Sequence, residues 1–221
     1  MNSKTKKIVG IGLFTAIVLV LQFLGGGIKF GVFSISLVLL PIVVGAAVYG
    51  WQAGAWLGFV FGVAVLLSGD AAVFFAIDVC GTILTVLVKG TTAGLCTGLV
   101  YKAMLGLLNK HSKSQVQLMK KNFGLRECCE TAAYDFISRN NKYLAVLIAA
   151  IICPIVNTGV FLLGCQVFFL ETISEWGAAA GFSNVAGYMF LGLAGTNFLI
   201  ELGTNFLLSP VIVRLISFAK K

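Results

Sequence analysis

Two charged residues stand inside long apolar runs, where a charge at a helix centre costs at least about 2.5 kcal/mol on insertion scales. Lys89 lies in GTILTVLVKGTTAGLCTGLVYK and Glu201 in GTNFLIELGTNFLLS. Asn197, Glu201 and Asn205 are spaced by four, so they share one face of a helix. Thr196 and Thr204 sit beside them. Lipid is a poor solvent for such a face, which should therefore point inward. Asn157 and Thr158 follow Pro154. That proline cannot donate to the Ala150 carbonyl, which frees an acceptor and favours a kink. Together these groups suit recognition: a pocket for a small polar molecule, open to the outside. The plainer reading is polar glue between helices. Lys89 in turn can snorkel to the outer interface, pair with Glu201, or take its anion from Asp70, Asp78 or a ligand carboxylate.

Enzyme chemistry finds little support. H-E-x-x-H, G-x-S-x-G and G-x-x-x-x-G-K-[ST] are all missing, so zinc proteolysis, acyl transfer through a serine elbow and nucleotide hydrolysis lack their residues. The six cysteines (Cys80, Cys96, Cys128, Cys129, Cys153 and Cys165) form no C-x-x-C pair, and His111 is the only histidine. A zinc site or a disulfide framework is not expected, nor is any cofactor.

The elements that must carry the polar residues are membrane helices. Of 221 residues 59% are hydrophobic and 11% charged, with a mean hydropathy of +1.00. A soluble domain holds roughly 25% charged residues. The chain therefore reads as one all-α membrane domain, a polytopic bundle of six spans at about 8–24, 35–49, 51–68, 81–102, 143–164 and 187–213. The second and third form a hairpin joined only by Tyr49-Gly50-Trp51-Gln52. Gly54, Gly58 and Gly62 line one face of the third, and Gly90, Gly94 and Gly98 one face of the fourth, where another helix can come close. The segment GDAAVFFAID, with Asp70 and Asp78, is too polar to span and too apolar to be a free loop. Residues 109–142 are the hydrophilic stretch, expected as a surface-lying amphipathic helix or a solvated loop. A loop with Glu171, Glu175 and Trp176 precedes the last span.

Charge sets the orientation. The N-terminal tail, residues 102–142 and the C-terminal Arg214, Lys220 and Lys221 hold fourteen of the sixteen Lys and Arg. The opposite loops hold Lys29 and four acids. The positive-inside rule puts both termini and the 109–142 segment in the cytoplasm. The net charge of +8 is then a topology signal rather than a nucleic-acid footprint.

Five stretches resemble the substrate-capture subunits, or S components, of energy-coupling factor (ECF) vitamin transporters. They are KKIVGIGLFTAIVLVLQFLG, FSISLVLLPIVVGAAVYGWQAGAWLGFVFG, VKGTTAGLCTGLVYK, PIVNTGVF and NFLIELGTNFLLSPVIVRLI. The resemblance covers nearly the whole chain and is nearest the pantothenate-type group. It implies a six-helix bundle in the cell membrane, with an outward pocket for a vitamin. It also implies a coupling membrane subunit and two ATPases as partners. Substrate binding would fall to Lys89, Asn157, Asn197, Glu201, Trp176 and Asp78. Docking would use the small face of the first helix, where Gly12 and Ala16 stand for an A-x-x-x-A-like motif. Two alternatives remain open: a stand-alone secondary transporter or channel for a small polar solute, and a riboflavin-, folate- or pyridoxine-type specificity within the same family. A secondary transporter usually shows matched inverted repeats, and no convincing repeat relates the two halves.

Overall fold

The computed structural model describes residues 3–25, 29–30, 33–34, 37–123 and 127–219. Helix dominates for a physical reason: in lipid no water serves the backbone, so each apolar run must satisfy its own N–H and C=O groups. Helix α1 (Ser3–Gly25) comes first. Strands β1 (Lys29–Phe30) and β2 (Phe33–Ser34) follow as a minimal antiparallel ladder, with Lys29 opposite Ser34. Next come α2 (Leu39–Tyr49), α3 (Trp51–Ser68), the single turn α4 (Ala72–Phe75), α5 (Val79–Phe123) and α6 (Glu127–Phe168). The chain closes with α7 (Leu170–Ala179), α8 (Val185–Gly187), a π-helix (Tyr188–Leu193) and α9 (Gly195–Ala219). The expected all-α membrane bundle is what forms.

Among the described residues, four helices are long and apolar enough to cross a bilayer: Lys4–Gly25, Trp51–Ser68, Val79–Leu118 and Tyr134–Phe168. A fifth crossing is a bent pair, Val185–Leu193 and Asn197–Arg214, whose axes meet at 45°. The run expected to span over 35–49 is helical only over Leu39–Tyr49. At 1.5 Å per residue that is about 16 Å, half of a core about 30 Å thick. Short as it is, α2 sits at the centre, with eight of its eleven residues buried, and packs against α1, α3, α5, α6 and α9. Gly50 alone turns the chain from α2 into α3. Its φ of +96° is a conformation side chains rarely adopt, and its N–H closes α2 on the Ala46 carbonyl.

The two glycine rows meet each other. A Cβ at Gly58 would lie 2.0 Å from the Gly90 carbonyl oxygen, and one at Gly94 would lie 2.0 Å from that of Gly54. Gly62 faces Val86 and Leu87 in the same way, and Gly98 faces Trp51. Thus α3 and α5 run backbone against backbone, with no room for a methyl group between them.

The hydrophilic segment 109–142 is neither a surface-lying helix nor a loop over its described residues. Helices α5 and α6 continue through it, at 45 and 42 residues. At helical rise they are about 68 and 63 Å long, roughly twice the bilayer core. The two stay paired outside the apolar zone. Asn141 donates from Nδ2 to Ser112 Oγ at 2.7 Å and to Asn109 Oδ1 at 3.1 Å, and Ser112, Val116 and Asn141 are buried. The expected loop with Glu171, Glu175 and Trp176 is instead helix α7.

Two apolar clusters make the core. The larger joins α1, α2, α3, α5, α6 and α9 through Val18, Ile42, Leu57, Val86, Val146 and Ile212. The smaller gathers Phe74, Leu162, Phe169, Ile173, Met189 and Leu193. Phe74 shows why the 69–78 segment is apolar without spanning: its ring stacks edge-on with Phe161, Phe169 and Trp176. A cavity lies where the two clusters meet.

Candidate substrate-binding site

Five parts of the chain converge on this cavity. Helix α1 brings Gln22, the α3–α4 turn brings Asp70, α5 brings Lys89, α6 brings Asn157, Thr158 and Phe161, and α9 brings Asn197 and Glu201. Phe61, Val65 and Val86 supply one apolar wall, and Phe74, Leu193 and Ala194 the other. The space itself is about 70 Å³, below the roughly 300–1,000 Å³ of most ligand pockets.

The bend between the π-helix and α9 makes this convergence. Leu193 and Ala194 at the break line the cavity, so α9 starts beside it. The four-residue spacing then turns Asn197 and Glu201 to the same side. Glu201 is 2% exposed. Its Oε1 accepts from Asn197 Nδ2 at 3.2 Å, whereas its Oε2 has no partner. Asn157 lines the same space, and its own Oδ1 is buried without a partner. The Thr204 hydroxyl turns away, donating to the Ile200 and Glu201 carbonyls.

Lys89 is half-buried on the facing wall. Its Nζ lies 5.0 Å from the centroid of the Phe161 ring, a cation–π distance. Among the described residues it forms no ion pair. Asp70 is held from another side: Gln22 Nε2 donates to its Oδ2 at 2.6 Å, and Ser68 Oγ donates to the same oxygen at 3.2 Å. One rim of the cavity is thus tied together before any solute arrives.

Lys89, Asn157, Asn197 and Glu201, four of the six residues expected from sequence, line this one cavity. The other two do not. Asp78 caps α5, its Oδ1 accepting from the Cys80 N–H at 3.0 Å, a position that suits an acid at a helix start. Trp176 stands one layer back, against Phe74. The sequence reading missed Gln22, although it is the lone amide in the apolar run of α1. It also passed over Phe161, one turn beyond Asn157 on the same helix face. Leu193 and Ala194 carry no signal, since only the bend brings them in. Among the described residues no group of three or more His, Cys, Asp and Glu could hold a metal ion.

A comparison with protein families matches residues 6–213 to the ECF transporter, substrate-specific component, family. The chain belongs to this family. No curated protein and no solved structure matches it. As an ECF S component it is a multi-pass protein of the cell membrane. S components are substrate-binding subunits rather than enzymes, and they work with a membrane coupling subunit and ATPases. The cavity, made of polar groups from separate helices and closed off by aromatic rings, is the feature of this chain suited to that role.

Proposed function

We propose that the cavity captures a small carboxylate-bearing vitamin or vitamin precursor from outside the cell, with pantothenate the best candidate. The bundle crosses the membrane six times with both termini in the cytoplasm, and the solute passes on through the coupling subunit. The observation that carries the substrate class is Lys89. It is a cation on the wall of an otherwise membrane-embedded cavity, with an aromatic face beside it and no carboxylate in ion-pairing contact among the described residues. A ligand carboxylate supplies what the protein does not. Five legs long enough to cross, one of them bent, and the shorter apolar α2 support the crossing number. The skew of basic residues supports the orientation. The docking face of α1 finds support in its exposure: Gly12 and Ala16 are open, no atom would touch a Cβ at Gly12, and Leu13, Val20 and Leu24 beside them are more than half exposed.

The test is titration calorimetry of the purified protein with pantothenate. A charge-assisted hydrogen bond is worth about 1.5–3 kcal/mol, so Lys89→Met should weaken binding by roughly ten- to a hundredfold. Asn157→Ala and Asn197→Ala, which remove neutral groups, should cost less. Unchanged affinity in Lys89→Met would mean that the lysine does not meet the substrate.

A further inference from the structure

Two acceptors in the cavity wall stand without donors. Glu201 Oε2 and Asn157 Oδ1 are both buried, both belong to residues lining the same space, and both lack a partner. They come from different helices, α9 and α6, so no shift within one helix satisfies the pair. The donors in the wall do not reach them: Lys89 Nζ sits against the Phe161 ring, and neither it nor the Asn157 amide bonds Glu201 Oε2. Asn197 Nδ2 serves Glu201 Oε1, and Thr204 Oγ1 serves backbone carbonyls. Asn205, one turn further along α9, makes no bond to Glu201, and its own Nδ2 is bare. Gln22 and Ser68 donate to Asp70 on the other rim.

An apolar or purely aromatic acid would neutralise Lys89 and leave both acceptors dry. Buried acceptors left without donors are the costly case, and a site built around such groups strongly rejects analogues that lack the matching hydrogens. We infer that the substrate carries, besides its acid, at least two hydrogen-bond donors of hydroxyl or amine type, and that Glu201 and Asn157 read them. The acid lies toward Lys89 and Phe161, and the donor-bearing part lies between α6 and α9. Glu201 is then a specificity residue that selects hydroxylated or aminated acids over plain ones. This inference rests on the capture-site reading above.

Three compounds separate the two ideas. Pantothenate has the acid and two hydroxyls. N-(3,3-dimethylbutanoyl)-β-alanine keeps the acid and loses both hydroxyls. Panthenol keeps the hydroxyls and replaces the acid with an alcohol. Each is titrated into wild type and into Glu201→Gln, which keeps the side-chain shape but puts an N–H₂ or a weaker acceptor where the carboxylate oxygen was. In wild type the deoxy acid should bind at least tenfold more weakly than pantothenate, and that gap should shrink to about threefold or less in Glu201→Gln. Equal affinity of the two acids in wild type would overturn the inference and leave the capture site standing, and this comparison needs no variant to fold. A gap that persists undiminished in Glu201→Gln would overturn the role of Glu201. Panthenol binding as tightly as pantothenate would instead refute the acid reading while the donor pair stands. No binding of any of the three refutes the capture reading, and the inference with it.

Discussion

Replacing Gly58 with alanine should force α3 away from α5, and the size of the effect follows from one contact. The new Cβ would stand 2.0 Å from the Gly90 carbonyl oxygen and 2.7 Å from its carbon. Carbon and oxygen across a helix interface settle at about 3.3 Å, so the backbones must part by roughly 1.3 Å. No rotamer change relieves this, because the obstacle is main chain. Overpacking of this kind costs about 1–3 kcal/mol. A gap approaching 1 Å also forfeits a quarter to a half of the dispersion well for each flanking atom pair. Alanine returns up to about 1 kcal/mol of helix propensity. A net loss of about 2 kcal/mol remains, or roughly 4–8 °C in melting temperature for a chain of this length. The assay is a fluorescence-detected thermal melt in detergent. Gly106→Ala is the control, since Gly106 is exposed and a Cβ there would meet nothing within 4 Å; it should melt at or slightly above the wild-type temperature. A Gly58→Ala protein that melts with wild type would refute the close approach of the two helices.

Two further outcomes are expected of the proposed assembly and topology. Ala16→Trp, on the exposed small face of α1, should abolish co-purification with the coupling subunit while pantothenate affinity stays within about twofold; normal co-purification would remove that face from the interface. In a background without native cysteines, Gln117→Cys should be shielded from an impermeant thiol reagent in intact cells and Ser174→Cys should react. The reverse labelling would invert the bundle and put the cavity mouth on the wrong side.

How much of this was readable in advance depends on the physical range of each signal. The apolar runs report on solvent, and they revealed the bundle and its hairpins. The glycine rows at 54, 58, 62 and 90, 94, 98 marked the two faces that come into contact, although spacing alone did not say that they meet each other. Lys89 and Glu201 stood out because a charge in lipid demands a reason, and Asn157 and Asn197 because their spacing or a nearby proline gave them a face. Asp78 lies outside the cavity and caps α5 through the Cys80 N–H, and a carboxylate before a helix reads the same in sequence whether it caps the helix or meets a solute. The continuation of α5 and α6 through 109–142 was hidden for another reason. Their seam is polar, built on Ser112, Asn109 and Asn141, so the hydrophobic period that betrays a packed helix pair is weak there. The bend at Leu193 and Ala194 depends on tertiary packing, and no local residue announces it.

The competing account of the polar residues is that they hold helices together, and the hydrogen bonds separate the two roles. Polar side chains that act as glue are satisfied across element boundaries. Gln22 reaches from α1 to Ser68 and Asp70, Trp56 Nε1 reaches from α3 to Thr15 at 3.2 Å, and Asn141 reaches from α6 to Asn109 and Ser112 on α5. The cavity group behaves otherwise. At its α6–α9 side the one side-chain bond, Asn197 to Glu201, stays within a single helix and joins nothing. Two bare buried atoms stand in its wall, Asn157 Oδ1 and Glu201 Oε2. Each unsatisfied group of this kind costs about 1–3 kcal/mol, and a scaffold could shed that cost with leucine or alanine at no loss of packing. On the proposed capture role they stay because the groups that destabilise the empty state would be the ones to hold the cargo.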